Sequence, residues 1–337
     1  ALNKDGGWVS ALALTPDGRF LLSGDYRQES VSKWDLNTGQ RVATFPGSAS
    51  AIDISAGGRY ALLGGCMGFK LVELASGKEI RKVNKGIDGW VRSIKFSPDG
   101  KSALVGDNTS KPMLWNLEKG TLATTFGGYT GQLETVKLSR TGGIMLAAND
   151  FNDMVNIWDY RNGRQIKTIE REAGVIMSSA TISDDGTLMA TGGWNGRASC
   201  ATVWDVATAK PLTRMALENK SGAHTEFVHI TPNNRYLIWA SRECIVISDL
   251  HSGQELKKIS GSQLDLAQIS VDPHGKFIIA RYFREGTQVF SIPGGALIKT
   301  LSKGGDNIKC VLGKEHIYAF ASTLNAKGHR ERSLTLY

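Results

Sequence analysis

The chain has 337 residues, 41% of them apolar and 21% charged, with 39 glycines but only 8 prolines; this is a globular composition rich in tight turns, and it excludes intrinsic disorder. The formal charge of +8 comes from 40 basic and 32 acidic side chains spread along the sequence, the densest run being "KGHRER" at 327–332, which reads as a solvated basic surface rather than a nucleic-acid-binding arm. No run of 18 apolar residues occurs, so no membrane insertion is expected, and Cys66, Cys200, Cys244 and Cys310 form no CxxC pair, which excludes a zinc ribbon or a thioredoxin-type site.

The expected elements recur in chain order. In the first unit, 8–45, four runs read as strands: "VSALAL", "RFLLSG", "SVSKWDL" and "QRVATF". Each is rich in Val, Leu, Ala, Ser or Thr and is bounded by turn residues. A "TPDG" turn at 15–18 separates the first two; its Pro presets φ and its Gly accepts the left-handed conformation. The same place is marked by "SAGG" (55–58), "SPDG" (97–100), "SRTGG" (139–143), "SDDG" (183–186), "TPNN" (231–234) and "DPHG" (272–275). These turns belong to units at 49–83, 91–126, 133–169, 177–215, 227–259 and 266–301, and a last unit at 307–337 carries "LGKEH" instead. About 18 residues beyond each turn comes a second marker: Trp34, Val72, Trp115, Trp158, Trp204, Ser248, Phe290 and Leu336, spaced 38, 43, 43, 46, 44, 42 and 46 residues apart.

Two markers in one register define eight units of four strands each, with no sustained helical periodicity. Such units are the signature of propeller blades, since a lone four-stranded sheet cannot bury both of its faces. The expected fold is all-β, an eight-bladed propeller of four-stranded antiparallel blades, with seven blades as the alternative. The last unit ends at Tyr337 directly after its third strand. The opening "ALNKDGGWVS" parallels "VNKGIDGWVR" (83–92) and "TLSKGGDNIK" (300–309), whose first residues close a fourth strand. Residues 1–4 are therefore expected to supply the outer strand of the last blade and close the ring, and residues upstream of Ala1 are expected in the native protein.

Over nearly the whole chain the units resemble the WD-repeat propeller family, on Trp34–Asp35, Trp158–Asp159, Trp204–Asp205 and the near match Trp115–Asn116, together with the "SPDG"-type turns. The family's Gly-His pair survives only as "GAH" at 222–224, and the Asp that precedes its third strand is missing from most units, so apolar packing is expected to replace its buried hydrogen-bond network. Turns such as "LNTGQRV" also look like those of quinoprotein propellers, but Arg41, Arg81 and Lys257 stand at or beside the place of the docking Trp. No quinone cofactor, and no other cofactor, is expected.

The resemblance implies that the tight turns share one face, and that the variable loops joining second to third strands, and each blade to the next, share the other. Function resides on variable loops held by a rigid frame. The partner-binding candidates are therefore Tyr26, Arg27, Asp107, Tyr129, Phe151, Trp194, Arg197, Arg242, Phe283 and Arg284, aromatic and Arg side chains being favoured at hot spots. Trp8 and Trp90 are read as plugs between blades, and Trp34, Trp115, Trp158 and Trp204 as blade packing. Trp194, in "GGWNGR", is the better surface aromatic. The "STLNAKGHRERS" loop (322–333) could reach an acidic partner, although a solvated hairpin tip is the plainer reading.

No HExxH, GxSxG, P-loop or Rossmann fingerprint occurs, and the six histidines are scattered, so no metal site is expected. Asp25, Asp107 and Asp150 recur at similar places and could converge on a cation, but turn capping is the simpler reading. The sequence thus points to a non-catalytic scaffold for a protein or peptide partner, standing alone or within a larger chain or complex. The alternatives are a metal-dependent hydrolase and nucleic-acid binding by the basic surface. Unpaired cysteines favour the cytoplasm, with an exported mature chain as the alternative.

Overall fold

The structure, a computed structural model, describes residues 10–336 except 26–29, 109–111, 128–134, 142, 149–153, 171–173, 219–221, 261–265, 273, 283–285, 303–306, 313–316 and 325–329; of residues 25, 135 and 301–336 it describes the backbone alone. All of its regular elements are strands, paired antiparallel in chain order. The first sheet takes Ala11–Leu14, Phe20–Asp25, Ser30–Asp35 and Gln40–Pro46. The second takes Ala51–Ile54, Tyr60–Gly65, Gly68–Glu73 and Glu79–Val83. The third takes Val91–Phe96, Ser102–Asp107, Met113–Asn116 and Thr121–Thr125. The fourth takes Thr135–Leu138, Ile144–Ala148, Met154–Asp159 and Arg164–Glu170. The fifth takes Ile176–Ile182, Leu188–Trp194, Ala198–Asp205 and Pro211–Glu218. The sixth takes Phe227–Ile230, Tyr236–Ala240, Cys244–Asp249 and Glu255–Ser260. The seventh takes Leu266–Val271, Phe277–Tyr282, Gly286–Ser291 and Leu297–Ser302. Complete four-stranded sheets thus number seven among the described residues, the count of the alternative reading. The eighth sheet has three strands, Asn307–Leu312, Ile317–Leu324 and Arg330–Leu336. The N-terminal strand expected to complete it, at residues 1–4, lies outside the described residues.

A shared device shapes seven of these sheets. At the end of each first strand, Thr15, Ser55, Ser97, Ser139, Ser183, Thr231 or Asp272 accepts a hydrogen bond through its side-chain oxygen from the backbone N–H five residues on, at 2.7–3.0 Å. These side chains are buried, so the turn satisfies polar groups that would otherwise cost free energy. A second device is a bulge in the pairing of third and fourth strands, at Trp34, Val72, Trp115, Trp158, Trp204, Ser248 and Phe290. The second sequence marker is therefore the residue at which each sheet is bent and its twist increased.

The chain divides into two compact units, Ala1–Leu133 with Asp306–Tyr337, and Glu134–Gly305. In the first, the first strands of sheets one, two and three lie side by side, and that of sheet eight lies beside that of sheet one. Leu22, Val31, Phe45, Ile52, Leu63 and Val72 fill the space between sheets one and two, and Leu71, Val83, Ile94, Val105 and Trp115 that between sheets two and three. In the second unit, sheets four to seven stack in the same order, with Ile157 and Trp204, then Val203 and Trp239, then Ile247 and Phe290 at successive interfaces. Each such side chain contributes about 1.5–3 kcal/mol by leaving water, which is how sheets with two apolar faces become stable together. Trp34, Trp115, Trp158 and Trp204 are all buried, Trp115 and Trp204 within these interfaces.

Candidate functional site

The candidate positions lie on the connections between second and third strands and between sheets. In sheet five the connection is a short hairpin after Trp194. Asn195 Oδ1 accepts the N–H groups of Arg197 (3.1 Å) and Ala198 (2.8 Å), an Asx turn that leaves Arg197 exposed. Ile176 is the cross-strand neighbour of Trp194 and is 43% exposed. Trp194 is not the free-standing surface aromatic that its glycine-bracketed loop suggests. It is half-buried, its ring stacks on His224 at 5.4 Å and 27°, and its indole N–H is buried with no acceptor among the described residues. The nearby Arg242 is exposed and pairs with Glu226 at 2.8 Å. Trp194, Ile176 and Arg197 thus form one patch, in which an aromatic edge and an aliphatic side chain lie beside a cation.

Other expected positions fall differently. Asp107 is 1% exposed, so its carboxylate is not offered to a partner. A register shift at Gly106/Asp107 changes the facing of the strand end there, which strict alternation does not anticipate. Tyr26, Arg27, Tyr129, Phe151, Phe283 and Arg284 lie outside the described residues, as do Trp8 and Asp150 and the side chain of Asp25. Among the described residues no group of three or more His, Cys, Asp or Glu stands together as a set of metal ligands.

Trp90 also departs from expectation. It is 37% exposed rather than closed between sheets, because its backbone pairs with Cys66 and its N–H donates to Asn108 Oδ1 at 2.8 Å. Cys66 and Met67 form the two-residue turn between Gly65 and Gly68, and Met67 is held at φ 56° with 56% of its surface exposed. This turn overhangs a groove of about 430 Å³ whose lining includes Pro46, Ser48, Leu63, Phe69, Lys82 and Asn84. Gly65 is required there, since a Cβ would approach Ser48 O to 2.6 Å. Lys70 crosses the groove, donating to Pro46 O at 3.1 Å and pairing with Glu79 at 2.9 Å. Sequence reasoning missed this site; its one visible signal is the pair of glycines bracketing "CM".

The profile of the family described as "Nucleolar protein 10-like, N-terminal domain" matches residues 78–296, well over half of the chain, and that of the "WD domain, G-beta repeat" matches residues 3–35. Among curated proteins, "Protein tipD" of Dictyostelium discoideum is 22% identical over 75% of this chain and 41% of its own length. "Telomerase protein component 1" of Rattus norvegicus is 28% identical over 46% of this chain and 6% of its own. "COMPASS component SWD3" of Saccharomyces cerevisiae is 23% identical over 45% of this chain and 48% of its own. The chain thus spans less than half the length of each of these relatives. Among solved structures, the computationally designed Ika8 protein superimposes with a TM-score of 0.76 at 14% identity, over 99% of both chains. Hydrazine synthase of Kuenenia stuttgartiensis gives 0.63 at 16% identity, over 86% of this chain and 97% of that one. At such identities these two likenesses concern the fold alone. WD-repeat propellers serve in general as protein-interaction scaffolds, and with its doubly marked repeat, its antiparallel sheets and these matches, the chain belongs to the WD-repeat family, in the group of the nucleolar protein 10-like N-terminal domain.

Proposed function

We propose that the chain is a non-catalytic scaffold that presents its loop face to a protein or peptide partner, and that its eight sheets are the blades of one propeller. The observation that carries the first part is the patch of Trp194, Ile176 and Arg197: a half-buried Trp and an exposed Arg are residue types enriched at binding hot spots, and Ile176 adds exposed apolar surface beside them. Arg242, and by sequence Tyr26, Arg27, Tyr129, Phe151, Phe283 and Arg284 on the segments between strands, are the further candidates of this reading. Two relatives bear the names of components of larger assemblies, in keeping with this role. The ring is supported by the first strand of sheet eight lying beside that of sheet one; an experimental structure in which sheets three and four, or seven and eight, do not pack together would overturn it.

The test starts with affinity capture, identification of the captured protein, and titration of the purified pair by calorimetry. Trp194→Ala combined with Arg197→Ala should weaken the pair by about 2 kcal/mol or more, with the fold intact by circular dichroism. An unchanged affinity would sink the choice of this patch.

A further inference from the structure

We infer that the groove beneath the Cys66–Met67 turn is a docking site for an extended acidic peptide carrying an apolar anchor residue. The inference rests on the scaffold reading and names one of its sites. Leu63 and Phe69, at 3% and 2% exposure, close the bottom of the groove as part of the core, so the apolar surface open to an incoming residue is that of Met67, 56% exposed. Its unbranched, polarisable side chain adapts to an incoming apolar group. Room exists because the second-to-third-strand connection of sheet two is only two residues long, so sheet two's own connection does not fold over the groove.

Charge selects the occupant. Lys70 is already committed to Glu79 and Pro46. Lys82, on the wall, and Lys85, three residues beyond it, are exposed, and neither has an ion-pair partner among the described residues. Among the described residues Glu79 is the acid paired at the groove, and Asp88, exposed in the segment leading to Trp90, is not one of the lining residues. A net charge of +8 adds long-range attraction for an acidic chain. An acidic segment would neutralise the two free ammonium groups while its apolar residue packs against Met67; a basic or neutral segment would leave them unmatched.

The probe is a fluorescein-labelled peptide with a central Leu-Phe flanked on each side by Glu and Asp, followed by anisotropy on the full chain. Saturable binding that weakens with salt is expected, and it should slow alkylation of the exposed Cys66, read by peptide mass spectrometry. Lys82→Glu with Lys85→Glu should raise Kd about tenfold or more, and Met67→Ser should raise it less. All three side chains are exposed, so unchanged melting temperatures are expected and would show that the fold is intact. The inference is overturned if the peptide does not bind, if these variants bind it unchanged, if a peptide with Lys in place of every acid binds equally, or if a single-stranded oligonucleotide competes with it at equal charge. If the groove fails while Trp194→Ala still abolishes capture of the cognate partner, the scaffold reading stands without this site. If both fail, the scaffold reading fails with it.

Discussion

Trp34 donates its indole N–H to Ser23 Oγ at 2.8 Å, and Trp204 donates to Thr191 Oγ1 at 2.9 Å. In both sheets the hydroxyl stands two residues beyond the Trp's cross-strand neighbour, Leu21 or Met189. Sheet six keeps this bond with its ends exchanged: Ser248 occupies the Trp position, and Trp239, in the second strand, donates to it at 3.1 Å. Sheet three breaks the pattern. Trp115 faces Ala103, the residue two further on is Val105, and the buried indole N–H of Trp115 has no acceptor among the described residues. Val105→Thr, nearly isosteric, should supply one and raise stability by about 1 kcal/mol, read as a higher denaturation midpoint at unchanged slope. Ala209 offers a second gain. It sits at φ 59°, a place held by Gly39, Gly77, Gly120, Gly163, Gly253 and Gly295 in other sheets, all at positive φ. Ala209→Gly removes a steric cost of roughly 1–2 kcal/mol against an entropic loss of about 0.5–1, so a small rise in melting temperature is expected. The tryptophans were legible in the sequence as a recurring marker. Their hydroxyl partners were not, because a diagonal pair exists only once the strand register is set.

At the scale of the element, each sheet depends on polar turns. Asp17 and Asp99 accept hydrogen bonds from the Thr15 and Ser97 hydroxyls between first and second strands. Asp205 and Asp249 accept hydroxyl and backbone N–H bonds of Thr208 and Ser252 between third and fourth strands. These bonds favour the ionised form and hold all four carboxyls below their usual value. A lowered folded pKa means that the native state binds fewer protons than the unfolded one. The stabilisation is therefore complete above the unfolded value of about 4 and is lost as pH falls through the lowered native values. Melting temperature should change little from neutral pH down to about 5 and drop below about 4, and Asp99→Asn with Asp205→Asn should make that drop shallower. An equally steep drop in the double variant would assign acid sensitivity to other groups. The turns themselves were legible, since Pro, Asp and Gly at fixed offsets dictate them. The buried hydroxyls that lock them, and the bulge at each second marker, needed the paired strands to be seen.

At the scale of the molecule, the net charge of +8 is a field rather than a site. A fluorescent oligonucleotide should show no saturable binding at physiological salt, and a steep salt slope with tight binding would restore the nucleic-acid reading. The sequence by itself determined the repeat, the four-strand pattern, the tight turns and the tryptophans that pack between sheets. Each of these follows from local chemistry: alternation of apolar residues, fixed φ at Pro, and positive φ at Gly. The tertiary structure decided that Asp107 is buried, that Trp194 is half-covered by His224, and that Trp90 and Met67 stand exposed beside a groove. Those outcomes turn on one-residue bulges, on the length of a single hairpin and on what the adjacent sheet places opposite, none of which is encoded within reach of the residue concerned.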